Sequence, residues 1–114
     1  MKSLFELLVQ DVLPTARSLI AKKLISDYGL SQKQAAEKLG ISQPAISQYN
    51  KNIRGVKNYL FQEKDATDFI DDLTKKIANN EVTTDKLNYE FLELMKFVKP
   101  DIEREDIISN LNTI

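Results

Sequence analysis

The chain contains no cysteine and no histidine. The first absence excludes a disulfide framework and any thiolate metal site. The second removes the commonest general base and the commonest metal ligand. Catalysis would have to run on carboxylates or lysines alone, and no nucleophile–base pair accompanies them, so no enzyme is expected. There is no glycine-rich phosphate loop, no alternating strand pattern and no internal repeat. No apolar run approaches the ~20 residues of a bilayer span. The opening MKSLFELLVQDV is interrupted by Glu6 and Asp11, unlike a signal peptide. The expected compartment is the cytoplasm, with no membrane partner. The acids Asp71 and Asp72, and the group Glu103, Glu105 and Asp106, do not replace the missing ligands. Adjacent acids on a helix point to different sides, so these read as solvated faces, and no metal or cofactor is expected.

What is present is unevenly charged. The formal net charge is −1. Residues 1–60 carry nine Lys/Arg against four Asp/Glu, a net of +5, whereas residues 61–114 carry seven against thirteen, a net of −6. A basic front half can neutralise phosphates, and an acidic back half is repelled by them and should point away.

A length of 114 residues with 42% hydrophobic content suits one small core. The periodicity is helical throughout. Residues 3–12 carry Leu4, Leu7, Leu8 and Val12 on one face. Pro14 predicts a break or kink near Leu13, because the residue before proline avoids helical angles. A second helix is expected to Asp27, with Ala16, Leu19, Ile20 and Leu24 inward and Gly29 beyond its end. Residues 57–65 read as a linker, with Tyr59, Leu60 and Phe61 able to pack back. A helix over 65–78 has Phe69, Ile70, Leu73 and Ile77 as its apolar edge. After a loop at Asn79–Glu81, Thr83 or Thr84 caps a further helix with Leu87, Phe91, Leu94, Met95 and Val98 inward, ended by Lys99-Pro100. Residues 101–112 form a candidate last helix with Ile107, Ile108 and Leu111 apolar. The boundary expected is 1–57 for a first domain and 58–114 for an acidic helical region.

The most informative stretch is Ser31–Tyr49, SQKQAAEKLGISQPAISQY. Ser31 and Gln34 have the spacing of a capping box. Ala35, Ala36 and Leu39 share one face. Gly40 supplies the positive φ of a sharp helix stop. Ser42 caps a second helix, Ile41 and Ile46 stand as a hydrophobic staple, and Pro44 falls in the first turn, where its missing N–H is no loss. Ala36 is small enough for two helices to cross steeply over a short turn. Ile46 and Tyr49 face inward, leaving Gln43, Pro44, Ser47, Gln48 and Lys51 outside. Short and amide side chains with one cation at the far end suit a helix lying in the major groove.

These residues resemble the helix-turn-helix of the Cro and lambda-repressor-like regulators, which carry glutamine, a small residue four on, glycine four further, then an apolar residue and Ser or Thr. Gln32, Ala36, Gly40, Ile41 and Ser42 stand at those places. Leu13–Tyr49, LPTARSLIAKKLISDYGLSQKQAAEKLGISQPAISQY, is similar to the front end of archaeal predicted transcriptional regulators. The resemblance implies an all-α Cro/lambda-repressor-like bundle followed here by a C-terminal helical hairpin. It also implies that Gln32 braces Gln43 and touches a phosphate.

The function expected is sequence-specific binding of double-stranded DNA by a transcriptional regulator. Gln43, Pro44, Ser47 and Gln48 are the base-contacting candidates. Gln32, Lys33, Ser42, Lys51, Arg54 and Arg17 are the phosphate candidates, with Lys22, Lys23, Lys38 and Lys57 as further cations. The plain alternative for each cation is a solvated surface charge, and for the motif an αα-corner without a DNA role. Two short C-terminal helices bury their stripes poorly alone. A homodimer on a palindromic operator is therefore expected, through Phe69, Leu73, Ile77, Phe91 and Met95. No small-molecule ligand is evident. The competing reading is an antitoxin-like or adaptor module whose acidic half grips a protein, with DNA binding secondary.

Overall fold

The computed structural model describes residues 3–51 and 61–98. Among them every regular element is helical: α1 (Leu4–Leu7), a π turn (Leu8–Val12), α2 (Leu13–Ser26), α3 (Gln32–Leu39), α4 (Gln43–Asn50), α5 (Lys64–Ala78), α6 (Thr84–Glu93) and α7 (Met95–Val98). The turn at Gly55, the packing of Tyr59 and Leu60, Arg54, Lys57 and the helix over 101–112 lie outside the described residues, as do the side chains of Leu4 and Val98.

The break predicted at Leu13 does not occur. Leu13 is helical at φ −62° and ψ −48°, and its N–H donates to the Leu8 carbonyl, five residues back. Pro14 has no N–H to give, and its ring would strike the carbonyl four residues back in a regular helix. Widening one turn to π spacing removes that conflict and lets α1 run on into α2.

α2 is the central element. Thr15, Ala16, Ser18, Ile20, Ala21 and Leu24 on it are all buried. It packs against the π turn, α3, α4 and α5. The small side chains Ala16, Ser18 and Ala21 let neighbours approach on more than one side. Its end is marked by Gly29 at φ +68°, with the Leu30 N–H on the Leu24 carbonyl at 3.0 Å.

One apolar cluster takes residues from both halves of the chain, from Leu7 through Ile20, Leu39 and Ile46 to Ile70, Leu73, Ile77, Phe91 and Met95. Phe61 packs back as its spacing allowed and is 2% exposed. Leu73, Ile77, Phe91 and Met95, expected against a second copy, are each no more than 2% exposed within the single chain. Phe69 is half-buried against the same cluster. The reason is that α5 finds its partner in α2, so the stripe needs no partner from outside.

The helix expected to reach Val98 stops at Glu93. The Leu94 N–H turns to the Phe91 carbonyl at 3.1 Å, a spacing of three rather than four. That tightening accompanies two consecutive buried side chains, Leu94 and Met95. Regular α spacing separates neighbouring side chains by about 100° and seats such a pair poorly on one face. On the outer faces, exposed acids pair with lysines at i,i+4: Lys64 with Asp68 at 3.4 Å and Lys76 with Asp72 at 3.2 Å. The Asp72 hydrogen bond and charge raise the Lys76 pKa above its ordinary value, burial opposes this, and Glu90 and Glu81 add to the rise.

Candidate nucleic-acid interface

The α3–α4 corner is built as its residues dictate. The Gln34 N–H donates to Ser31 Oγ at 3.1 Å, and the Ser31 N–H donates to Gln34 Oε1 at 2.9 Å. This reciprocal box satisfies two amides that a bare helix start leaves open. At the other end Gly40 takes φ +69°, and the Ile41 N–H reaches back to the Ala36 carbonyl at 3.0 Å. Ser42 caps α4 by accepting from the Ala45 N–H at 3.2 Å. Ala35, Ala36, Leu39 and Ile46 are buried, so the two helices cross on small side chains.

α4 is also tied from beneath. Ser18 Oγ on α2 donates to the Tyr49 carbonyl at 3.2 Å in a buried setting. This bond uses one of the carbonyls that the last turn of a helix leaves without an internal partner. It ties the last turn of α4 to α2. Nothing in the local pattern of α2 distinguishes Ser18 from a solvated serine, and only the fold brings it to Tyr49.

The outer face follows. Gln43, Pro44, Gln48 and Lys51 are exposed and Ser47 is half-exposed. Gln32, the first residue of α3, meets the first residues of α4: Gln32, Gln43, Pro44 and Ser47 line one open concavity of about 330 Å³. Two helix N-termini therefore converge there, each the positive end of its dipole. Lys33 and Lys51 are exposed, and neither is joined to an acid among the described residues. Ser42 is exposed, and since its oxygen accepts the cap bond, its hydroxyl proton is free to donate outward. Glu37, the lone acid of α3 and α4, lines a different cleft shared with the turn before α6.

Other cations are committed elsewhere. Arg17, expected on a phosphate, holds its guanidinium 5.8 Å from the centre of the Phe91 ring, a cation–π distance, and its Nε is buried without a hydrogen-bond partner. The fold brings Phe91 of α6 to Arg17 of α2, which the spacing of α2 alone does not reveal. Lys23 pairs with Asp71 of α5 at 2.7 Å. Lys38 Nζ donates to Asn80 Oδ1 at 2.7 Å. The basic front half is thus sorted, some cations facing the acidic helices and others standing beside α4.

Among the described residues no group of histidines, cysteines or acids could hold a metal ion, and no helix is long and apolar enough to cross a membrane. Comparison with curated proteins and with solved structures gives no significant match. Residues 20–56 match the model of a family described as Helix-turn-helix. That span runs from the middle of α2 through both helices of the corner. Residues 20–56 thus carry a helix-turn-helix of the DNA-binding kind, set in a fold that is all-helical among the described residues.

Proposed function

We propose that this chain is a sequence-specific transcriptional regulator that reads the major groove of double-stranded DNA with α4. The observation that carries this reading is the convergence of Gln32 with Gln43, Pro44 and Ser47 at two exposed helix starts. An amide at the first position of a reading helix can bond adenine at N6 and N7 together, worth ~1–3 kcal/mol of discrimination. In this reading Gln32, which shares the concavity with Gln43, holds its amide in one orientation and bonds the adjoining phosphate. Ser47 and Gln48 extend the base-facing row. Lys33, Ser42 and Lys51 take phosphates, fixing register without reading sequence.

α4 has eight residues. At about 1.5 Å per residue it spans roughly 12 Å, which covers only three or four base pairs. Two copies related by a two-fold axis, on a palindrome with half-sites about 34 Å apart, supply the remaining specificity. The dimer surface is drawn from residues other than Leu73, Ile77, Phe91 and Met95, which the chain's own core occupies. The adaptor reading, in which the acidic half grips a protein, has no comparable observation in its favour.

Selection of bound fragments from random duplex DNA tests the proposal. A palindromic consensus is expected, with Gln43→Ala relaxing one position per half-site. Retention of all sequences alike would overturn it.

A further inference from the structure

The turn between α5 and α6 reaches across to the helix-turn-helix at two points. A Cβ placed on Gly40 would overlap the Thr84 Cγ2 methyl, so Thr84 sits directly against the corner at the one residue that has no side chain. Four residues earlier along that turn, Asn80 accepts from Lys38 Nζ, on the last turn of α3. Asn80 stands at φ +60° and closes α5, with the Glu81 N–H on the Lys76 carbonyl at 2.8 Å. Its side chain is therefore aimed by a tightly defined backbone. Beneath these contacts Leu39, Ile77 and Leu87 belong to the common core. Apolar packing is non-directional. It sets how far α3 lies from the C-terminal helices, whereas the Lys38–Asn80 bond and the methyl against Gly40 set its rotation.

We propose that Asn80 and Thr84 are positioning residues for DNA reading: they fix the angle at which the corner presents α4, so specificity depends on residues outside the helix-turn-helix. This rests on the reading of α4 as the base-contacting helix. In this role neither residue is required to touch DNA. Their loss should leave phosphate contacts, and hence binding to unrelated sequences and its salt dependence, unchanged. What should fall is the preference for the selected site, because base-edge hydrogen bonds weaken steeply with misalignment.

The test uses the full chain carrying both Asn80→Gly and Thr84→Ala. Glycine keeps the left-handed backbone unstrained at 80, and Thr83, not Thr84, caps α6. The ratio of affinities for the selected site and a scrambled duplex is expected to fall about tenfold, the order of one lost base contact, with an unchanged salt slope. Restoring the methyl in Asn80→Gly/Thr84→Val should recover part of the ratio. If the double variant does not fold, the two single variants are measured, each expected to lose part of the ratio. A folded variant whose ratio stays within about twofold of the parent, a difference well under one base contact, overturns the proposal. Gln43→Ala is run alongside. If it too leaves the ratio unchanged, the reading of α4 has failed. If it lowers the ratio while the Asn80/Thr84 variants do not, only the positioning role has failed.

Discussion

Replacing Gly40 by alanine sets two costs on one residue, and the structure separates them. The first is conformational. Gly40 lies at φ +69°, where an L side chain costs roughly 1–2 kcal/mol. The second is steric. The new Cβ meets the Thr84 methyl inside van der Waals contact, an overpacking term of about 1–3 kcal/mol. Stiffening of the unfolded chain returns about 0.4–1 kcal/mol. The net loss expected is about 1–4.5 kcal/mol, and at roughly 4 °C per kcal/mol for a domain near this size, a mid-range loss in Gly40→Ala should lower Tm by about 10 °C. Gly29 is the internal control. It shares the backbone geometry, at φ +68°, but nothing stands within 4 Å of an added Cβ. Gly29→Ala should therefore show only the conformational term. Thr84→Ser removes the methyl and keeps the hydroxyl, so Gly40→Ala/Thr84→Ser should recover the steric part. Thermal unfolding followed by circular dichroism on the four variants and the parent measures this. Additivity of the Gly40 and Thr84 changes to within about 0.5 kcal/mol would show that the two sites do not touch. Equal losses at Gly29 and Gly40 would refute the steric term independently.

Other consequences can be checked in the same preparations. Ser18→Ala removes the donor to the buried Tyr49 carbonyl and should cost about 1–3 kcal/mol in urea unfolding, because the acceptor stays buried without water. Lys51→Ala should weaken every duplex alike and reduce the slope of log K against log salt by about 1, whereas Gln43→Ala should alter one base position and leave the slope alone. The Lys76 pKa is raised in the folded state, first by its hydrogen bond to Asp72. A raised lysine stabilises fully below its unfolded value and loses that contribution as pH climbs through the folded one. Asp72→Asn should thus lower Tm by a small constant amount between about pH 6 and 9, and the difference should close only as pH passes above the ordinary lysine value of about 10.4. A difference that instead grew with alkalinity would contradict the assignment.

The corner was legible because its determinants are local. Ser31, Gln34, Gly40 and Ser42 act over three to five residues, and each makes the bond its spacing implies. The inward stripe of α5 was equally plain, but not what it would face. An amphipathic pattern states that a surface must be covered and is silent on the cover. The spacing of Leu73 and Ile77 thus suits a second copy as well as it suits the chain's own core, where both are buried. The same limit applies to Arg17, whose partner Phe91 lies far along the chain. It applies to Ser18, which joins Tyr49 only through the crossing of α2 and α4. At Leu13 a local rule was overruled locally: the bias against helical angles before proline is modest, and one wide turn accommodates it.

α2 touches most of the molecule, and six of its ten residues from Thr15 to Leu24 are hidden from solvent. A saturation screen scored by operator occupancy would therefore record intolerance at those six positions, as deep as that over α4. Read without coordinates, that pattern would pass for a second DNA contact. Assaying the same library for soluble, folded chain would tell mast from sail: α2 variants would fail both screens, and those at Gln43 or Gln48 only the first.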